Sequence, residues 1–358
     1  MADQQAVTTG PVLGRVVAPV RTARLTIGQV GACTLIMVVI AVLGCALGPV
    51  PLSPVRVLAT LIDLLPFVTM DDTLSPSQTA ILLKLRLPRV ALGLLVGGLL
   101  AGCGATYQGV FRNPLADPYL LGAASGAGLG AVTAITIGLA GDGIWGVPLF
   151  AFVGALAAVA LTYGLGATGV NGGTTSLILA GVAVSAFASA VQTFLMQSNT
   201  EQLKEVYSWL LGRLATSGWR DVLVVLPYAL LSLGFVVINR RILDVMALGD
   251  EEATMLGLRP NRARILFVLA ATLGTAAAVS VSGLIGFVGI VVPHLVRLVF
   301  GSSHRVIIPL SIIVGAALLV GTDIVARMAL APAEIPIGVV TAFLGAPFFL
   351  LLLRSARR

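Results

Sequence analysis

Few residues in this chain are of a type that performs chemistry, and their spacing narrows what they can do. The two lysines, Lys84 and Lys204, each follow a leucine. Neither completes a Gly-Lys-Ser/Thr phosphate loop, so ATP binding by that route is excluded. His294 and His304 each stand without a second histidine or a carboxylate at ligand spacing, and an isolated histidine is a poor metal site. His294, in Val-Pro-His-Leu-Val-Arg, therefore reads as structural, and His304 as part of a basic turn. Cys33, Cys45 and Cys103 fall in apolar runs; the first two are roughly 18 Å apart along one helix, too far for a disulfide. Without clustered His, Cys, Asp or Glu there is no nucleophile, general base or metal cage to assemble. The chain reads as a non-enzyme with no cofactor and no metal site. Two charged features remain: Arg86 with Arg89, and the acidic run Asp250-Glu251-Glu252.

The elements that position these charges are membrane spans. The composition is 58% hydrophobic and 10% charged, with a mean hydropathy of +1.03, far from the roughly 25% charged residues of soluble domains. The 41 glycines suit helices that approach backbone to backbone in lipid. Val90 to Phe111 runs without a charge for 22 residues, about 33 Å of helix against a bilayer core of about 30 Å. The turn Arg112-Asn113-Pro114-Leu115-Ala116-Asp117-Pro118 then ends that span with two prolines and a charge pair. The same reasoning along the chain predicts an all-α polytopic membrane protein of about ten transmembrane helices: 27–47, 90–111, 120–139, 147–165, 175–196, 222–238, 265–281, 284–300, 306–324 and 335–353. Residues 53–84 are expected to form an external loop with a short amphipathic segment.

Residues 1–24 are expected to form a loosely ordered cytoplasmic arm, and 25–358 a single transmembrane domain. An even number of spans puts both basic termini on one side, together with the stretch 240–264 and its five arginines, which the positive-inside tendency makes cytoplasmic. The net charge of +7 thus sets orientation and does not imply nucleic acid. The first apolar run is long and lacks a cleavage site, so no cleavable signal is expected. Spans two to five and seven to ten run in opposite senses, a weak inverted repeat of a kind common among transporters.

Coupling to protons or ions requires ionisable groups inside the spans, and the span middles hold no Lys, Asp or Glu. Uphill transport by this chain would draw on ATP hydrolysed by another subunit; a secondary transporter or channel is the alternative class. In the fifth span Gly181, Ser185, Ser189 and Gln192 recur at roughly helical spacing, either lining a path or packing against a neighbour. Arg86 and Arg89 start a helix on the outer side, where both dipole and topology disfavour cations. Anchoring to lipid headgroups and docking of a partner both fit them. Asp250, Glu251 and Glu252 suit the first turn of a helix, with Met255, Leu256 and Leu258 as apolar contacts. That segment is either a solvated connector or a docking element.

Several stretches carry a resemblance that covers roughly Ser53 to the C-terminus. LRLPR, a Gly-rich span, QGVFRNPLADPYLLG and SGAGLGA are followed in order by LILAGVAVSAF, WLLGRL, ALGDEEATMLGL, GLIGFVGIVVPHLVRL and EIPIGVVTAFLGAPFF. This series resembles the FecCD family, the permease subunits of type II ABC importers for iron siderophores, haem or cobalamin. The resemblance implies a permease of the bacterial cytoplasmic membrane that pairs with a second permease subunit, identical or paralogous, and with two ABC ATPase subunits. It implies a periplasmic or surface-anchored binding protein gripped by Arg86, Arg89 and Arg327. It makes Asp250, Glu251, Glu252, Ala253, Met255, Leu256 and Gly257 the coupling helix that meets the ATPase, and Thr174, Thr175 and Ser176 a narrow cytoplasmic gate. The implied cargo is a bulky metal chelate, ferric siderophore first, with haem or cobalamin as alternatives.

Overall fold

The computed structural model describes residues 25–64, 69–141, 143–167, 174–214 and 218–355; the expected arm 1–24 lies outside the described residues. In chain order the helices are α1 (Ile27–Ala46), α2 (Pro54–Asp63), α3 (Pro76–Ile81), α4 (Leu87–Phe111), α5 (Ala123–Thr136), α6 (Val147–Ala167), α7 (Thr174–Ser198), α8 (Leu203–Leu210), α9 (Trp219–Met246), α10 (Asp250–Met255), α11 (Pro260–Ser282), α12 (Val288–Phe300), α13 (His304–Met328) and α14 (Ile337–Ser355). Among the described residues, seven helical segments are long and apolar enough to cross a membrane, and α5, α12 and α14 are shorter apolar helices. Each of the ten expected spans coincides with one of these.

Three boundaries differ, each for a local reason. The stretch expected as an external loop becomes helical again at Pro76, where Ser75 and Gln78 form a reciprocal cap, and the helix continues without a break to Phe111. Continuity is kept through a π turn, Leu82–Arg86, in which the Leu87 N–H donates to the Leu82 carbonyl. Pro88 follows at once; it donates nothing and its ring would crowd the Lys84 carbonyl in a regular α-helix, so the wider turn relieves the clash. The third span is shortened because Gly122, at φ 86°, separates a 3₁₀ turn (Pro118–Leu121) from the 14-residue α5. The stretch 240–264, expected to lie between the sixth and seventh spans, is mostly helix: α9 extends to Met246 and α11 begins at Pro260, leaving little but α10 between them.

Helix α4 is the centre of the bundle. It packs most extensively on α13, then on α11, α9 and α12, and is buried along most of its length. Glycine makes this possible: a Cβ on Gly97 would collide with the Gly315 carbonyl of α13, and one on Gly104 with the Gly289 carbonyl of α12. Backbones at this range replace the apolar driving force that lipid removes. Helix α7, by contrast, is the least buried of the long apolar helices and leaves Leu179, Val182, Phe187 and Phe194 exposed.

Candidate functional site

The arginines expected to grip a partner lie at the end of the bundle where α4 begins. Arg86, at the close of the π turn, is 7% exposed. Its Nη1 donates to the carbonyls of Cys45 (2.8 Å) and Ala46 (2.7 Å), and its Nη2 to that of Val50. Arg327, 5% exposed, donates to the carbonyls of Leu47 and Gly44, each at 3.0 Å. Together they satisfy the last carbonyls of α1, which a helix C-terminus leaves unpaired. The sequence after α1, Gly48-Pro49-Val50-Pro51, includes two prolines that supply no N–H. Arg86 thus starts one helix while its charge sits at the negative end of another, where the dipole favours it. Arg86 and Arg327, expected to reach out to a partner, are both turned inward in this chain.

Arg89 occupies the rim of the same cluster. It forms paired bonds to Asp323 (Nη2 to Oδ1, 2.9 Å; Nε to Oδ1, 3.1 Å) and to Glu334 (Nη2 to Oε2, 2.8 Å; Nη1 to Oε1, 3.0 Å). The Arg327 Nε lies 2.9 Å from Asp323 Oδ2. Asp323 is thus an acid inside a span, close to the end of α13 and 2% exposed. It escapes the rule that the span middles hold no acid because it lies little more than a turn from the end of α13. A cavity of about 250 Å³ beside the cluster is lined by Arg89, Arg213, Asp323 and Glu334. Arg213 and Arg220 are both exposed, and both line a second, neighbouring pocket. Arg213 is the arginine of the stretch WLLGRL, whereas Arg220 lies outside the stretches that carry the family resemblance.

About 37 Å away along the 25 residues of α4, at 1.5 Å each, lies the end that carries α10. This helix is six residues long. It is framed by Gly249 (φ 138°) and Gly257 (φ 82°), and closed by the Leu258 N–H donating to Ala253 and the Gly257 N–H to Thr254, the paired bonds of a Schellman end. Ala253 is fully buried, whereas Met255 is 86% and Leu256 66% exposed. The acids divide: Glu251 and Glu252 are exposed, while Asp250 turns back to Arg112 (3.1 Å) and Arg264 (3.0 Å). Just before α10, Asp244 accepts from the Ser303 hydroxyl (2.9 Å) and the His304 N–H (2.6 Å), and faces the His304 ring Nδ1 at 3.1 Å and Arg305 Nε at 3.3 Å. His304 is therefore a buried anchor for the end of α9. Sixty residues separate it from Asp244, so no local pattern could announce the pair.

Other expected residues are distributed as follows. Gly181 would carry a Cβ into the Leu120 carbonyl, Ser185 accepts from the Ser125 hydroxyl at 3.2 Å, and the Gln192 amide oxygen lies over Gly128 of α5. These three pack against α5 and the turn before it; Ser189 alone of the four is exposed. Thr174 and Thr175 open α7, but their side chains lie outside the described residues, and Ser176 is half-buried. His294 packs edge-on against Phe348 with ring centroids 5.7 Å apart. In the turn after α4, Asp117 accepts the Tyr119 N–H at 2.7 Å and the Tyr119 hydroxyl donates to the Ile285 carbonyl. Burial pushes the Asp117 carboxyl up to about 6, against the opposing pull of the Tyr119 N–H. Among the described residues no group of three His, Cys, Asp or Glu side chains is placed to hold a metal.

Among the described residues, a bundle of ten apolar helices with the glycine-lined α4 at its centre, a short exposed helix at one end and an ionic cluster at the other has the form of a membrane permease. Residues 35–355 match the FecCD transport family, and the chain belongs to it. It is 44% identical to the cobalamin import permease of Halobacterium salinarum over 76% of this chain and 72% of the relative. It is 40% identical to the hemin transport permease of Yersinia pestis (77% and 83% covered) and 38% identical to the Fe(3+)-citrate import permease of Bacillus subtilis (83% and 88% covered). A metal-chelate type ABC transporter solved in an inward-facing conformation superposes with a TM-score of 0.80 at 31% identity, covering 92% of this chain and 99% of that one. The chain is thus the permease subunit of an ABC importer, a non-enzymatic membrane component whose ATP hydrolysis resides in separate subunits.

Proposed function

We propose that the chain imports a bulky metal chelate, ferric siderophore first and haem or cobalamin as alternatives, across the bacterial cytoplasmic membrane. In this reading two permease subunits, identical or paralogous, enclose the path, and two ATPases drive it from the α10 face. The carrying observation is the pair Met255 and Leu256, held out by a six-residue helix in a stretch whose basic residues favour the cytoplasm. Apolar side chains this exposed beside charged ones fit a partner cleft. On the opposite face a binding protein would deliver the chelate; Arg89, at the rim and 18% exposed, is the least buried of the three expected docking residues, with Arg86 and Arg327 holding the platform beneath it. Thr174, Thr175 and Ser176 would narrow the cytoplasmic exit, and Ser189 on the open side of α7 would face the path.

Uptake of radiolabelled ferric siderophore, haem and cobalamin by cells lacking this gene tests the cargo, and unchanged uptake of all three would refute it. External thiol labelling should reach Asp71→Cys and Glu201→Cys and spare Asp250→Cys; labelling at 250 in intact cells would invert the orientation. Cysteines at 174 and 175 should cross-link between two permease subunits in at least one nucleotide state.

A further inference from the structure

We infer that Arg112, Asp250 and Arg264 form an ionic joint that passes displacement of α10 to α4 and α11, so that all three are positioning residues of the transport cycle. This rests on α10 being the ATPase contact. The first observation is backbone strain. Arg112, the residue that ends α4, sits at φ 51° and ψ 34°, and it is one of only two non-glycine residues with positive φ among those described. Glycine or asparagine is the usual choice for this conformation, since a Cβ there costs free energy. Retaining an arginine in a strained position points to use of its side chain, and its guanidinium goes to Asp250 at 3.1 Å.

The second observation is the convergence on a single carboxylate. Arg264, one turn into α11 and 16% exposed, contacts both oxygens of Asp250 at 3.2 and 3.0 Å while its Nη1 donates to Asn261 at 2.9 Å. Asp250 therefore joins three helices through one residue. The third is how little else fixes α10. It lies between two positive-φ glycines, and Ala253 is its only buried residue. Its large apolar side chain Met255 and the adjoining Leu256 face outward, so sideways load on them reaches the bundle through Ala253, the flanking backbone and the Asp250 pairs. Of these, the Asp250–Arg112 pair leads directly to the end of α4.

The test uses the permease assembled with its ATPase in nanodiscs, with spin labels at Met255→Cys on α10 and, separately, at Leu115→Cys just beyond Arg112. Distances between equivalent labels in the two permease subunits are measured without nucleotide and after trapping with ATP and vanadate. In the otherwise unmodified protein both labels should shift. In Asp250→Asn, and independently in Arg112→Ala with Arg264→Ala, the Met255 label should still respond while the Leu115 shift falls at least three-fold. Arg264→Lys, which keeps the charge, should restore most of it. A Leu115 shift that is undiminished in both neutralised variants overturns the joint, because a merely structural role would change melting temperature without changing the ratio of the two shifts. A Met255 label that fails to respond in the unmodified protein would instead remove α10 as the ATPase contact.

Discussion

Both ends of α4 are held by arginine, in opposite circumstances. At its start, Arg86, Arg89 and Arg327 engage five carbonyls and two carboxylates, and Asp323 and Arg327 have side-chain exposures of only 3% and 5%. At its finish, one carboxylate serves two arginines, and the Asp250 and Arg112 side chains remain 45% and 42% exposed. Removing one member of a buried pair leaves a charge with no water to replace its partner, a loss of about 3–5 kcal/mol, whereas exposed pairs are worth about 0–1 kcal/mol. The same chemistry therefore yields a fixed frame at one end and an adjustable contact at the other.

Asp323→Ala should break this contrast most severely. It strands Arg327 and half of Arg89, and should cost about 3–5 kcal/mol, seen as a large fall in the thermal transition in nanodiscs or as failure to assemble. Arg86→Ala exposes no new charge but removes the side-chain donor to the Cys45, Ala46 and Val50 carbonyls, for a loss of about 1.5–3 kcal/mol, with α1 the first segment to lose protection in hydrogen exchange. Gly97→Ala tests the seam between the two ends: its methyl meets the Gly315 carbonyl, and forcing α4 from α13 should cost about 1–3 kcal/mol. Asp250→Asn should shift the melting temperature by the equivalent of less than about 1 kcal/mol. Met255→Asp with Leu256→Asp should not shift it at all, since both side chains are exposed, yet should release the ATPase or uncouple hydrolysis from uptake. If Asp250→Asn melts as low as Asp323→Ala, the two ends are alike and the contrast fails.

The spans were legible because charge-free runs of 20 or so residues leave few alternatives in lipid. Helix ends were less so. Pro76 and Met246 extend helices into stretches rich in charge because caps and neighbouring contacts, not hydropathy, decide where a helix stops. Site residues divided by the range of their interactions. The exposure of Met255 and Leu256 follows from a short segment between glycines, and the sequence carries that. The inward turn of Arg86 depends on α1, some 40 residues away, and Asp323 is tied to Arg89 across 234 residues. Arginine at a helix start suggests an outward charge until the neighbouring helix end that needs it is known. The His304–Asp244 pair, 60 residues apart, is hidden from local sequence for the same reason.

The close approach of Gly97 to Gly315 makes that point a fulcrum. Neighbouring side chains interlock above and below it, so α4 can tilt there more readily than it can slide along α13. Arg86 lies about 16 Å to one side and Arg112 about 22 Å to the other, at 1.5 Å per residue. The shorter arm is clamped, because Arg89 ties the start of α4 to Asp323 of α13 while Arg86 and Arg327 tie both helices to the end of α1. The longer arm ends in the exposed Arg112 pair, so it is the part of α4 left free to flex, and its length multiplies a small bend near Gly97 into a larger displacement at Arg112.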